Sequence, residues 1–538
     1  MGLDRAGSVD GLLVAVVERD ERFRSRRRDG PVFEQKKPGR TPVEVRNDGR
    51  GSLTMRNWEL TLSLDPASGL PRFLQLSKAV EAAIRAGRLK PGDALPGTRQ
   101  LAARLGVHRN TVIAGYQELA SEALVVARPG GGTFVAEPAA GLEQGGRAPP
   151  PPSFEVPPPL PLPPSMQVPK GALMMYRGVP DVRLLPAKAL ARAFGRAVSS
   201  HGRGLLGYGD PRGHLRLRTE LATLLTRTRG LVATPERLVV TRGSQQAIDL
   251  VARALIAPGD VVAVEALGDP STRNTLRLAG AVLEPLPIDE QGVDVDAFER
   301  LLQRRKVRAI CVTPHHQFPT TVVMSAARRA RLARLAFEHG VAIVEDDYDH
   351  EFHYEGRPVL PMAAGPCGAN VIYVGSLSKV FAPGLRMGFL LAPDALLDRL
   401  VSVRVATDLQ GDAAVECALA ELLEDGELLR HVRRMRNVYA RRRDALAEAL
   451  LAHLGGVLSF RVPDGGMALW ARVEDGLDLP AWEAAGEAEG VQFRGARVHD
   501  FHGREQPFLR LGFTFHDEAE LAEAARRMAR AHRRISRS

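Results

Sequence analysis

Cysteine is scarce in this sequence: Cys311, Cys367 and Cys417 are the only three in 538 residues, and they are widely spaced. That excludes a disulfide scaffold and a cysteine-clustered metal site, and it is the usage of a reducing compartment, where such thiols are ordinary buried side chains. Long apolar runs are missing too. No stretch approaches the roughly 18 residues that span a bilayer. The short run Leu12–Val17 lacks a basic flank and a cleavage site, so neither a membrane span nor a signal peptide is expected and the chain reads as soluble and cytoplasmic. Charge is only mildly one-sided. Lys and Arg number 73 against 63 Asp and Glu, a net +10, which favours a polyanionic partner without naming one. The 44% hydrophobic content suffices for a large core, and the length calls for two or three domains.

Residues 1–54 are irregular, with an arginine-rich run from Arg22 to Arg28. They read as a solvated extension or a basic arm, or else as sequence ahead of a natural start at Met55. From 55 to 137 the pattern becomes regular. Leu74, Leu76, Val80, Ala83 and Ile84 recur at helical spacing, with Gly87 as the stop. Thr98 is placed to cap a short helix through Leu105, Gly106 breaks it, and a third helix is expected from Arg109 to about Glu122. Two short strands flank Gly130-Gly131-Gly132. Three helices and a glycine-tipped hairpin make a winged helix-turn-helix. Residues 138–168 are dense in proline and read as an extended linker. From 169 to 535, apolar runs such as Leu238–Thr241, Val261–Val264, Ala309–Val312, Ala342–Val344 and Val371–Val374 alternate with helices. Such runs predict a largely parallel sheet covered on both faces, an α/β domain, with a smaller α+β subdomain from about Leu391.

In the first of these regions the string Leu95-Pro96-Gly97-Thr98-Arg99-Gln100-Leu101-Ala102-Ala103-Arg104-Leu105-Gly106-Val107-His108-Arg109-Asn110-Thr111 opens the third helix with side chains able to reach base edges or phosphates. The string and the wing Gly130–Val135 resemble the GntR family of bacterial regulators. The resemblance implies a double-stranded DNA operator as partner. It places His108, Arg109, Asn110 and Thr111 at the start of the recognition helix, Arg99 on the DNA backbone, and Gly131 and Gly132 where the wing nears the minor groove. Serine or threonine is common in that family where His108 stands, which leaves His108 open between base reading and simple exposure.

In the larger region Val374-Gly375-Ser376-Leu377-Ser378-Lys379 is followed by Ala382-Pro383-Gly384-Leu385-Arg386. A lysine among small hydroxyls with an arginine behind suits a Schiff-base site for pyridoxal phosphate: the amine bonds an aldehyde while hydroxyls and guanidinium hold a phosphate dianion. Upstream, the apolar strand Ile343-Val344 runs into Glu345-Asp346-Asp347-Tyr348, where a pyridinium nitrogen would find an anion. Asp346 is the choice for that role, with Glu345 and Asp347 as neighbours. If the strand alternates, one of the three points back into the structure. Gly243-Ser244-Gln245 is expected to open a helix after a strand, aiming N–H groups and hydroxyl at the phosphate.

Together with Gly178-Val179-Pro180-Asp181, Gly207–Gly213 and His316-Gln317-Phe318-Pro319-Thr320, these motifs resemble fold-type I aminotransferases. Joined to the winged helix, residues 55–535 resemble the MocR subfamily of GntR regulators. That resemblance implies pyridoxal 5′-phosphate as cofactor, bound to Lys379 with Ser244, Gln245, Ser376, Ser378 and Arg386 around the phosphate. Asp346 falls on the ring nitrogen and Tyr348 on the ring oxygen. Arg510 is expected to hold the carboxylate of a small amine or amino-acid effector, and Arg273 is a second contact. It also implies a homodimer, with Tyr208 and Gly209 facing the partner's site or packing at the interface.

Two positions depart from the family. Asp269 stands where an aromatic ring would stack on the cofactor, and Thr321 where glycine usually follows Phe-Pro-Thr. Retained Lys379 with altered walls fits a site that binds cofactor and amine without efficient turnover, residual transamination being allowed. Three readings follow: an effector-sensing regulator whose amine ligand displaces Lys379 from the cofactor, a working aminotransferase with an accessory DNA module, and a repressor whose large domain is a dimerisation scaffold.

Overall fold

The computed structural model describes residues 68–137 and 171–536, with isolated positions at 64, 65, 153, 155 and 158. The expectations for 1–54, for a start at Met55 and for most of the proline-rich linker lie outside the described residues. The chain divides into two compact units, one ending at Glu155 and one beginning at Val156.

In the first unit, helices Arg72–Arg85, Thr98–Leu105 and Arg109–Ser121 precede the antiparallel hairpin Val125–Arg128 and Gly132–Val135. Leu76, Val80, Leu101, Val112, Leu119, Val125 and Val135 close one buried core. Gly106 ends the second helix at φ +62°, a left-handed turn that glycine adopts without steric cost. Thr98 does not cap that helix. Gly97 is the cap and Thr98 the first helical residue, because its hydroxyl instead accepts from the Arg109 Nε at 3.2 Å. His108 caps the third helix, its Nδ1 accepting from the Asn110 N–H at 3.3 Å.

The second unit is built on a seven-stranded sheet in the order Leu238–Thr241, Gly388–Leu391, Val371–Ser376, Ala342–Asp347, Val307–Val312, Val261–Glu265, Val282–Leu286. Gly388–Leu391 runs antiparallel to both neighbours and the other pairings are parallel. Buried clusters lie around this sheet, among them Val239, Val262, Val344 and Leu390 in one and Phe298, Ile310 and Ile343 in another. The α+β subdomain packs helices Glu427–Leu454 and Glu518–Ile535 with a three-stranded antiparallel sheet, Leu458–Phe460, Ala468–Val473 and Phe508–Gly512. Its boundary is not at Leu391 alone. The early strand Leu173–Met174 pairs in parallel with Val491–Gln492, so the subdomain recruits chain from both ends of the unit.

Candidate functional site

Parallel strands deliver their loops to one edge of a sheet, and the crevice beyond their carboxyl ends is where such folds bind ligands. Five strands do so here. Leu238–Thr241 leads to Ser244, Val261–Glu265 to Asp269, Val307–Val312 to Thr313 and Phe318, Ala342–Asp347 contributes Asp346 and leads to Tyr348, and Val371–Ser376 leads to Lys379. All of these, with Arg273, Arg510 and Cys311, line one cavity of about 330 Å³.

Alternation along Ala342–Asp347 separates the three carboxylates. Glu345 and Asp347 are absent from the cavity lining. Glu345 accepts from the main-chain N–H of Met362 (2.8 Å) and Ala363 (3.1 Å), and Asp347 from the Tyr373 hydroxyl at 2.6 Å. Asp346 lines the cavity, and its Oδ1 is shut off from solvent with no hydrogen-bond partner. Burial, then the charges of Asp269, Asp347, Asp349 and Glu265, push its carboxyl up to about 8. Lys379 Nζ donates to the Gly178 carbonyl at 3.1 Å, and enclosure, followed by the nearby Arg510 cation, brings the amine down to about 8. Glu265 at the strand end accepts from the Thr313 hydroxyl (2.7 Å) and is raised to about 7 by burial.

Arg510 projects from Phe508–Gly512 into the cavity. Its guanidinium lies 4.8 Å from the Phe318 ring centroid and its buried Nε has no partner. A side chain at Gly178 would meet Arg510 Nη2 at 2.9 Å, so glycine is what lets the main chain pass there. Arg273 also lines the cavity, but as a strut: its Nη1 and Nη2 donate to the carbonyls of His499 and Val498 at 3.0 and 3.1 Å. Asp269 caps the helix Pro270–Leu278 by accepting from the Ser271 N–H at 3.1 Å.

The expected phosphate ligands are placed less uniformly. Ser244 is the first residue of the helix Ser244–Leu255 and lines the cavity. Gly243 before it has φ +80°, and a Cβ there would stand 3.0 Å from the Arg386 guanidinium, which donates to the Arg242 carbonyl at 3.0 Å. Gln245 does not present its amide to the cavity. Its Nε2 is spent on Thr275 Oγ1 and the Ser271 carbonyl, which ties two helices together. Ser376 caps the short helix Leu377–Val380, and the Ser378 hydroxyl turns to the Met387 carbonyl at 3.4 Å. Both, like Arg386, stand outside the main cavity's lining. Tyr348 lines it, and its phenolic hydroxyl donates to the His316 carbonyl at 3.0 Å.

In the first unit His108, Arg109 and Asn110 are exposed and Thr111 is half-buried at the start of the third helix; Arg99, Gly131 and Gly132 are exposed as well. Arg128 on the wing, which the sequence reading missed, lays its guanidinium over Phe134 at 4.7 Å.

The family described as bacterial regulatory proteins, gntR family, matches residues 74–135, and the aminotransferase class I and II family matches 178–528. The probable rhizopine catabolism regulatory protein MocR of Rhizobium meliloti is 34% identical over 467 residues, 86% of this chain and 94% of that protein. The chain belongs to the MocR group of gntR-family regulators. A further relative, the pyridoxine biosynthesis transcriptional regulator PdxR of Corynebacterium glutamicum, is 31% identical over 73% of this chain and 82% of its own length. Among solved structures, the α-aminoadipate aminotransferase LysN of Thermus thermophilus superposes with a TM-score of 0.64 at 30% identity, covering 68% of this chain and 93% of that one.

The cofactor of this MocR-group domain is pyridoxal 5′-phosphate, and the residues fit it. The unpartnered buried Oδ1 of Asp346 accommodates a protonated ring nitrogen, which would also relieve the carboxylate's burial. The amine of Lys379 is enclosed and easily made neutral. The N-terminus of Ser244–Leu255, with Gly243 and Arg386 beside it, forms an anion cradle. Thr313 was not singled out from sequence; Phe318 was read only as part of its motif and Cys311 only as an ordinary buried thiol. The rule that ligands gather at the carboxyl ends of parallel strands would have found Thr313, the first polar residue after Val307–Val312.

Proposed function

We propose that this regulator senses a small amino acid or carboxylate-bearing amine in the large domain and changes its affinity for a DNA operator in response. One observation carries the reading: Lys379, Asp346 and Arg510 line a single cavity of about 330 Å³. The cofactor, when bound, supplies an aldehyde that condenses with amines and a ring that withdraws electrons. The chain's own residues do the selecting. Arg510 offers a planar fork to a carboxylate, with Phe318 against its face. Asp346 holds the ring nitrogen's proton, and Lys379 is the amine an effector must displace. Ser244 and Arg386 anchor the phosphate. In the first unit Arg109, Asn110 and Thr111 read DNA from the start of the third helix, with Arg99 and the Gly131-Gly132 wing on the backbone.

The working unit in this reading is a homodimer on an operator with two half-sites. Leu206 and Tyr208, 82% and 89% exposed in the single chain, are large apolar groups suited to a second copy. Regulation requires that the effector bind two states of the protein unequally. The test is operator affinity against a panel of amino acids, in the wild type and in Lys379→Ala. Some amino acid should shift wild-type affinity roughly fivefold or more and leave Lys379→Ala unmoved. Arg510→Gln should weaken that amino acid's effect by about a hundredfold in concentration, while leaving amines without a carboxylate alone. Amine binding that never alters operator affinity would refute the reading.

The second reading, a working aminotransferase, draws on the same Lys379, Asp346 and Arg510 set. Against it stands Asp269, a helix cap where a stacking ring is expected. Many turnovers of keto acid per site would decide for it.

A further inference from the structure

Behind the cofactor cavity lies a group of histidines that the function above does not use. His315 and His316 follow the strand Val307–Val312; His350 and His353 follow Ala342–Asp347. His315 and His316 are 3% and 1% exposed, and His353 is half-buried. The rings of His315 and His316 lie with centroids 4.3 Å apart, and those of His316 and His353 6.2 Å apart. One ligand atom from each of His315, His316 and His353 falls within 4.8 Å of the others.

The state of their nitrogens is the second observation. His315 Nδ1 and Nε2, His316 Nε2 and His353 Nδ1 are all buried without a hydrogen-bond partner. A buried polar atom left unpaired costs on the order of 1–3 kcal/mol, so four on three adjacent rings call for a shared partner. The partner has to be an electron-pair acceptor able to engage several imidazoles at once. His316 Nδ1 meets Asp349 Oδ1 at 2.7 Å, which fixes the ring and leaves Nε2 free, the carboxylate–histidine pairing that orients metal ligands.

We infer that His315, His316 and His353 form a binding site for a divalent transition metal ion of the zinc class, with Asp349 as the outer carboxylate that orients His316. Three imidazoles leave a fourth position for water or another ligand, a coordination set that suits Zn²⁺. Zinc–nitrogen bonds of about 2.0–2.1 Å set donors roughly 3.3 Å apart in a tetrahedron, so binding requires the rings to draw in from their present spacing of up to 4.8 Å. A neighbouring set, His315, Asp347 and His350, is the weaker candidate. Asp347 Oδ2 already receives the Tyr373 hydroxyl and meets His350 Nδ1 at 2.8 Å. The nearby carboxylates Asp347 and Asp349 offset the ion's charge. Bound metal would also stiffen the main chain that frames the cofactor: Tyr348, in the cavity wall, donates to the carbonyl of His316 itself. The site stands whether or not the cavity senses an amine.

The test uses tag-free, full-length protein carrying pyridoxal phosphate, stripped of metal and dialysed against micromolar Zn²⁺, or titrated with Co²⁺ as a spectroscopic probe. About one ion per chain is expected, with the intense visible bands of four-coordinate Co²⁺. His353→Asn and His315→Asn should each weaken binding at least a hundredfold, and Asp349→Asn by about tenfold, with the far-UV spectrum and cofactor absorption unchanged. His353 is the guard against misfolding, because it is half-buried and a polar replacement is tolerated there. Substoichiometric uptake at micromolar Zn²⁺, or binding undiminished in His353→Asn, overturns the assignment.

Discussion

Thr321 holds φ at +64°, a left-handed backbone that a β-branched residue adopts at a cost, and its N–H donates to the Gln317 carbonyl at 2.6 Å. That geometry explains why glycine is usual at this position, and why the departure seen in the sequence is one of strain rather than chemistry. Thr321→Gly should therefore stabilise the large unit by about 0.5–1 kcal/mol, the relief of strain exceeding the added chain entropy of glycine, read as a rise in its thermal midpoint. Lys379 gives a different kind of prediction. Its amine, brought down to about 8, is protonated below that pH and neutral above it. Only the neutral amine attacks an aldehyde. Capture of pyridoxal phosphate by the stripped protein should thus slow about tenfold for each pH unit below 8 and level off above it, followed by stopped-flow absorbance. A rate still climbing toward pH 10, as for a lysine of ordinary pKa of about 10.4, would show that the enclosure does not act on the amine.

At the scale of elements, the third helix of the DNA-binding unit begins on a side-chain cap, His108, in the position where serine or threonine would do the same work. His108→Ala should lower that unit's stability by about 1 kcal/mol, and His108→Ser should restore it with operator preference unchanged. Denaturant melts together with operator selection measure both. A changed operator preference in the serine variant would instead make His108 a base reader. Elements were legible in the sequence where one signal sufficed. Leu238–Thr241 and Val371–Ser376 are continuous apolar runs, and Gly106 marks a helix end by itself. Gly388–Leu391 was not foreseen, because Gly-Phe-Leu-Leu has no β-branched residue to set a short apolar run apart as a strand. The site was legible by residue type and less so by partner. Asp346, Lys379, Ser244 and Arg510 line the cavity. Arg273 and Tyr348 line it as well, with partners that only folding brings near, the carbonyls of Val498 and His499 and that of His316, while the Gln245 amide donates to Thr275.

On the scale of the whole molecule, buried clusters among the described residues respect the division of the chain. The core of Leu76, Val112, Leu119 and Val135 shares no member with those around the seven-stranded sheet or the subdomain. The 138–168 segment between them is dense in proline. Stability should then be held unit by unit, each core carrying its own. Leu119 is fully buried, so Leu119→Ala leaves a cavity and should cost the DNA-binding unit about 2–5 kcal/mol. The expected outcome is loss of operator binding and an early melting transition, with the lysine-bound cofactor absorption and its own melting midpoint unmoved. The two signals are followed in one thermal scan. A cofactor transition that falls together with the early one would mean that the units unfold cooperatively, and that effector signals travel through a packed interface rather than along the chain.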